Sequence, residues 1–172
     1  MIIILMGPSG SGKTTIGLAL SAATGWRFVD ADDLHPAANV EKIRQGTPLT
    51  DEDRAPWLAA LRAVIEESIA RDSDLIVGCS ALRERYRHTL SNGLSNVHWV
   101  FLKTPPDVLR ERLERRTGHF AGTAILADQI RTLEEPDDAM VIESHRPVDV
   151  VVQEIREALN LPWHERRPSE SG

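Results

Sequence analysis

The chain has 172 residues, with 20 Lys+Arg against 26 Asp+Glu and a formal net charge of −6. A 41% apolar, 27% charged composition at that length fits one compact domain. It excludes a disordered polyanion, a coiled coil and a collagen-like fibre. The acidic balance argues against a protein that wraps a nucleic-acid backbone, so no nucleic-acid partner is expected. The single cysteine, Cys79, excludes an internal disulfide, and no Cys/His grouping has zinc-ligand spacing.

The apolar opening Ile2–Met6 has no basic residues before it and runs at once into Gly and Ser, so it reads as a core strand rather than an export signal. No segment approaches the ~20 apolar residues of a membrane span. A cytoplasmic protein without a membrane partner is expected. Further strands are predicted over Trp26–Val29, Leu75–Cys79, Val97–Leu102 and Met140–Glu143. All are continuous apolar runs, as parallel strands covered on both faces require.

Helices are predicted over Lys13–Thr24, Pro36–Gln45, Asp51–Arg71, Ala81–Leu90, Pro106–Arg116, Thr123–Leu133 and Pro147–Leu159. In the third, Trp57, Leu58, Leu61, Val64, Ile65 and Ile69 recur at helical spacing. Strand–helix alternation predicts an α/β domain with right-handed crossovers over residues 1–160, and the polar stretch 161–172 reads as a flexible tail.

Gly7-Pro8-Ser9-Gly10-Ser11-Gly12-Lys13-Thr14 fits G-x-x-x-x-G-K-[ST] between a predicted strand and a predicted helix. Its glycines let backbone N–H groups point inward and form an anion nest at a helix N-terminus. Lys13 then reaches the β- and γ-phosphates of a nucleoside triphosphate, and the Thr14 hydroxyl is the expected Mg²⁺ ligand. The motif leaves the phosphate acceptor open: a hydroxyl, another phosphate or water.

Asp30-Ala31-Asp32-Asp33-Leu34-His35 follows the second strand, at a strand end where α/β sheets bind ligands. Carboxylates so close repel one another unless a cation or a shared proton relieves them. A general base serves an alcohol acceptor and is superfluous for an ionised phosphate, which favours a hydroxyl acceptor. The same residues also suit a capped, solvated helix start. Ser80 ends the third strand and suits an N-cap. Arg83 and Arg87, four apart, would project from one helical face as paired forks for a carboxylate, or simply pair with surface acids. Arg110, Arg112, Arg115 and Arg116 precede Thr117-Gly118-His119-Phe120, which looks like the hinge of a mobile flap.

The ordered set GPSGSGKTT, DADDLHPAANVEKIRQGTPLTDEDRAPWL, CSALRERYR, RTGHF and L-x-x-Q-x-x-x-L-E-x-P at Leu126–Pro136 closely resembles the gluconokinases, ATP-dependent gluconate 6-kinases related to shikimate kinase. The resemblance implies a P-loop three-layer sandwich with a five-stranded parallel sheet in the order 2-3-1-4-5, and a small helical lid at about 112–133. It implies transfer of the ATP γ-phosphoryl group to the 6-hydroxyl of D-gluconate, with Lys13, Asp32 and Arg116 in catalytic roles. ATP would contact Gly7–Thr15, including Thr15 itself, with Arg112, Arg116, Arg146 and Pro147. Mg²⁺ would be held by Thr14 and, through water, by Asp30. Asp32, His35, Arg54, Ser80, Arg83, Tyr86, Arg87 and His119 would meet the sugar acid. Relatives are often homodimers. A kinase for another aldonate or shikimate, or an ATP-binding regulator without turnover, remains the alternative.

Overall fold

The computed structural model describes residues 1–117 and 121–163, leaving aside the side chains of 116–117 and 121–124. The predicted tail from 164 onward lies outside the described residues.

Five parallel strands form one sheet in the order β2-β3-β1-β4-β5, as the resemblance implies. They are β1 (Ile2–Met6), β2 (Arg27–Asp30), β3 (Leu75–Cys79), β4 (Val97–Lys103) and β5 (Met140–Glu143). The central strand β1 is in register with both neighbours, Ile2 opposite Leu75 on one side and Val97 on the other. Its side chains alternate between two cores. Ile2, Ile4 and Met6 enter one cluster with Trp57, Leu61 and Ile65, and Ile3 and Leu5 enter the other with Ile16, Leu20 and Ile155. Burial on both faces explains why the strand sequence lacks polar alternation.

The helices are α1 (Lys13–Thr24), α2 (Ala37–Arg44), α3 (Asp51–Ala70), α4 (Glu84–Ser91), α5 (Pro106–Thr117), α6 (Ala121–Thr132) and α7 (Val148–Ala158). Helices α1 and α7 cover one face of the sheet, and α3 and α4 the other. Gly17 permits the α1–β2 contact, since a Cβ there would lie 2.2 Å from the Phe28 ring. Helix α3 begins in a capping box between Thr50 and Asp53 and runs through Pro56, whose missing N–H falls in the second turn.

Two local expectations are corrected. The second strand, expected to end at Val29, runs on to Asp30, whose carboxylate caps a 3₁₀ turn over Ala31–Leu34. The helix predicted from Ala81 starts at Glu84 instead, because Ala81 takes a left-handed φ of 40° and Arg83 is extended at the N-cap. Ser80 therefore lies outside the helix and does not cap it.

Helices α5 and α6 pack on each other through Leu109, Leu113 and Leu126, a small core separate from the two that clamp the sheet. They form a helical flap over the C-terminal strand ends. The lid expected at about 112–133 falls on the end of α5 and on α6, and α5 itself begins earlier, at Pro106.

Candidate active site

The loop from Gly7 to Gly12 joins β1 to α1, and the helix starts directly after Gly12, whose φ of 98° is left-handed. A glycine suits that conformation, and it directs the first helical N–H groups into the loop. The Lys13 ammonium donates to the Gly7 and Pro8 carbonyls at 2.9 and 3.1 Å, folding over the cradle. Thr14 donates its hydroxyl proton to Asp30 Oδ2 at 2.7 Å. That bond leaves the Thr14 oxygen's acceptor capacity for a cation and sets a carboxylate beside it, a donor set of hard oxygens that fits Mg²⁺. Ser11 Oγ is fully buried under the loop with no partner among the described residues.

The other oxygen of Asp30 accepts the Asp32 N–H at 3.1 Å. One carboxylate thus ties the cation position to the backbone that carries Asp32. Asp32 is exposed to the cavity space, yet the protein packed around it desolvates its carboxyl and pushes it above its ordinary value, against the pull of Lys13. His35 moves the other way, held below the usual imidazole value mainly by burial. Asp33 is exposed and faces water. Cys79 lies nearby, but burial pushes its thiol up to about 12, which makes it inert as a nucleophile.

Two cavities meet at this point. One, of about 390 Å³, is lined by the cradle residues Ser9, Gly10, Gly12, Lys13, Thr14 and Thr15, together with Asp32 and Leu113. A second, of about 410 Å³, is bounded by Asp32, His35, Arg54 and Ser80 on the sheet side and by Leu113, Ile125, Asp128 and Gln129 on the flap. The loop 46–49 closes its outer wall. Ser9, Lys13, Asp32 and Leu113 line both. A third cavity of about 350 Å³ lies behind the cradle, between Gly12, Thr15, Arg112, Ser144, Arg146 and Val148.

The predicted site residues distribute unevenly. His35 stacks on Trp57, and Trp57 Nε1–H donates to the Ala31 carbonyl at 2.7 Å, so α3 holds the 3₁₀ turn in place. Arg54 reaches the second cavity while donating to the Leu49 and Thr50 carbonyls. Tyr86 stands behind it, with the Arg54 guanidinium 5.6 Å from its ring centroid and its hydroxyl bonded to Asp51. Arg83 is half-buried at the start of α4; the Asp51 carboxyl is held low first by the Tyr86 hydrogen bond, then by Arg85, with Arg83 contributing less.

Arg87 corrects the expectation of a paired fork. It is 7% exposed and donates to the Ala81, Leu82 and Glu134 carbonyls, so its charge serves the turn after β3 and not the cavity. With Arg83 outside the helix, the two do not share a helical face. Arg112 bridges the Gly10 and Ser144 carbonyls at 3.0 and 3.1 Å, fastening the flap to the cradle. Arg146 lines the third cavity but is ion-paired to Glu154, and Pro147 caps α7. Arg116 lies in the last turn of α5 with its side chain outside the described set, and His119 lies outside the described residues.

Asp128, Gln129, Val40, Ile43 and the 46–49 loop were not among the sequence candidates, yet they wall the second cavity. Val40, Ile43 and the 46–49 loop lie within the block DADDLHPAANVEKIRQGTPLTDEDRAPWL, and Gln129 within L-x-x-Q-x-x-x-L-E-x-P, but neither motif marked them as site residues.

A family model described as "AAA domain" matches residues 2–136. The chain is 42% identical to a gluconokinase of Gluconobacter oxydans, over 89% of this chain and 88% of that one. It is 41% identical to a probable gluconokinase of Xenopus tropicalis, over 90% of this chain and 91% of that one. The chain belongs to the gluconokinase family. Its fold superposes on the crystal structure of a sugar kinase from Janibacter with a TM-score of 0.85 and 36% identity, covering 93% of this chain and 94% of that one. Family membership makes the chain a kinase, and it gives the shared wall between the first two cavities a chemical meaning. Asp32 lies on that shared wall.

Proposed function

We propose that this protein is a gluconokinase that transfers the γ-phosphoryl group of ATP to the 6-hydroxyl of D-gluconate. The observation that carries the reading is the position of Asp32. It lies on the wall common to the phosphate cradle and the second cavity, with its carboxyl raised by desolvation. A carboxylate with a raised pKa is a better general base, and a base is what an alcohol acceptor needs. Asp32 takes the hydroxyl proton as the acceptor oxygen bonds to phosphorus, while the bond from phosphorus to the β-phosphate oxygen breaks and ADP leaves.

Lys13 and the inward N–H groups of the loop stabilise the phosphates, as fixed charge and dipoles do in a water-poor site. Mg²⁺ would be held by Thr14, with Asp30 through water, and would neutralise phosphate charge. The third cavity, beside Arg112 and Arg146, suits the adenine end of ATP. In the second cavity Arg54 and Ser80 bind the polyol acid, and Arg83, at the start of α4 outside that cavity's lining, supplies charge for its carboxylate. Arg116 and His119 belong to the flap that covers the reacting groups. No described helix is long and apolar enough to cross a membrane. We place the reaction in the cytoplasm, and we assign a homodimer on the family resemblance.

The test is a coupled ADP-release assay over gluconate, other aldonates, shikimate, glycerate and nucleoside monophosphates. Gluconate should stimulate turnover most. Turnover on a monophosphate without stimulation by gluconate would overturn the reading.

A further inference from the structure

The segment L-x-x-Q-x-x-x-L-E-x-P has no part in the chemistry derived above, yet Leu126, Gln129, Leu133 and Glu134 within it each make a defined contact. Leu126 packs in the flap core with Leu109 and Leu113, and Leu133 packs against the main core. Glu134 is bound at three points: its N–H donates to the Leu82 carbonyl, its carboxylate accepts the Glu84 N–H, and its carbonyl accepts from Arg87. The C-terminal end of the flap is therefore anchored to the turn that carries Ser80. Between these anchors, Gln129 Oε1 accepts the Ser9 N–H at 2.7 Å.

That bond settles which way the Gln129 amide faces. A backbone N–H only donates, so it must meet Oε1, and the two Nε2–H donors are left for another partner. Gln129 lines the second cavity, and Ser9 lines both that cavity and the phosphate cradle. A half-buried amide with two donors, held by its oxygen at the boundary of the two cavities, is matched to an oxygen-rich acceptor.

We propose that Gln129 determines acceptor specificity by donating from Nε2 to a hydroxyl of the sugar acid, while its Oε1 registers the flap against Ser9. The proposal rests on the gluconokinase reading and adds to it a residue from the flap that reads the acceptor. Gln129 has no proton to transfer at neutral pH, so its effect falls on binding and alignment of the acceptor.

The test compares the full-length wild type with Gln129→Ala and Gln129→Glu by steady-state kinetics and thermal unfolding. Glu keeps an oxygen for Ser9 but has no donor when ionised. Both variants should raise KM for gluconate by about tenfold, the scale of one lost hydrogen bond to a neutral group, with KM for ATP changed by less than about twofold. In a series of monodeoxy gluconates, one member should bind the wild type and Gln129→Ala alike, because the contacted hydroxyl is already missing. Wild-type KM in Gln129→Glu, or parallel rises in KM for gluconate and ATP, would reduce Gln129 to a strut. So would a constant penalty across the whole deoxy series. If Gln129→Ala unfolds early, the Glu variant and the deoxy series carry the test. If the wild type prefers another acceptor, the gluconate reading falls by itself, and the same comparison on that acceptor still decides the role of Gln129.

Discussion

The His35 imidazole lies flat against the Trp57 indole, with ring centroids 4.4 Å apart and planes 13° from parallel. The indole N–H reaches past it to the Ala31 carbonyl, at the base of the turn that carries Asp32. One aromatic side chain on α3 thus fixes both the histidine and the backbone of the proposed base. Trp57→Phe should keep the stack but leave the Ala31 carbonyl without its donor. The expected cost is about 1–3 kcal/mol of stability in urea titration, the price of an unsatisfied buried group. KM for gluconate should rise several-fold while KM for ATP stays put, because the cradle is built from β1 and α1.

Asp32→Asn should lower kcat by about 100-fold or more with little change in ATP affinity, measured by the coupled assay and by nucleotide titration. Near-normal kcat would remove Asp32 from the base role. In the wild type, kcat/KM should fall toward acid with a midpoint above the ordinary carboxylate value of 3.8, because desolvation raises the group.

The same desolvation has a consequence for stability. A carboxyl whose folded pKa is raised binds its proton more tightly in the native state, so its charge destabilises the fold above that pKa and costs nothing below the unfolded value. Asn imitates the protonated form. In the absence of nucleotide, Asp32→Asn should therefore have a higher Tm than the wild type at neutral pH. The difference should shrink as the pH falls to about 3, where Asp is protonated in both states. A constant difference across that range would show that desolvated charge is not its source.

Arg83 and Arg87 should separate cleanly. Arg87→Ala removes the donor for three carbonyls around a left-handed Ala81, so it should destabilise the protein by about 3 kcal/mol or more, seen as a lower urea midpoint. Arg83→Ala should leave the midpoint nearly unchanged and weaken gluconate binding far more than ATP binding. The reverse pattern would return Arg87 to the acceptor site.

Arg112→Ala should act on the nucleotide. It unties Gly10 from Ser144, which closes the third cavity, and should raise KM for ATP by about tenfold with a smaller effect on gluconate. A change confined to gluconate would contradict the place given to adenine.

The sequence alone determined the elements whose causes are local. The run Ile2–Met6 followed by glycines and Lys13-Thr14 specifies a strand, an anion-binding turn and a helix, because backbone conformation and hydrogen bonding there depend on adjacent residues. The apolar runs named the parallel strands to within a residue, since burial on both faces leaves no polar alternation. Even the charge pattern was local: between Asp30 and Arg54 the chain carries seven carboxylates against three basic residues, around the acidic turn of the site. What the tertiary structure decided is which of these groups face each other. Arg87 looked like half of a carboxylate fork, but a left-handed residue at Ala81 rotates the turn and spends that charge on carbonyls from three positions. Gln129 and Ser9 are 120 positions apart and meet only because α6 folds back over the cradle. A hydrogen bond needs its partners within about 3 Å and aligned. No pattern along one chain encodes that distance; it follows from packing the flap onto the sheet.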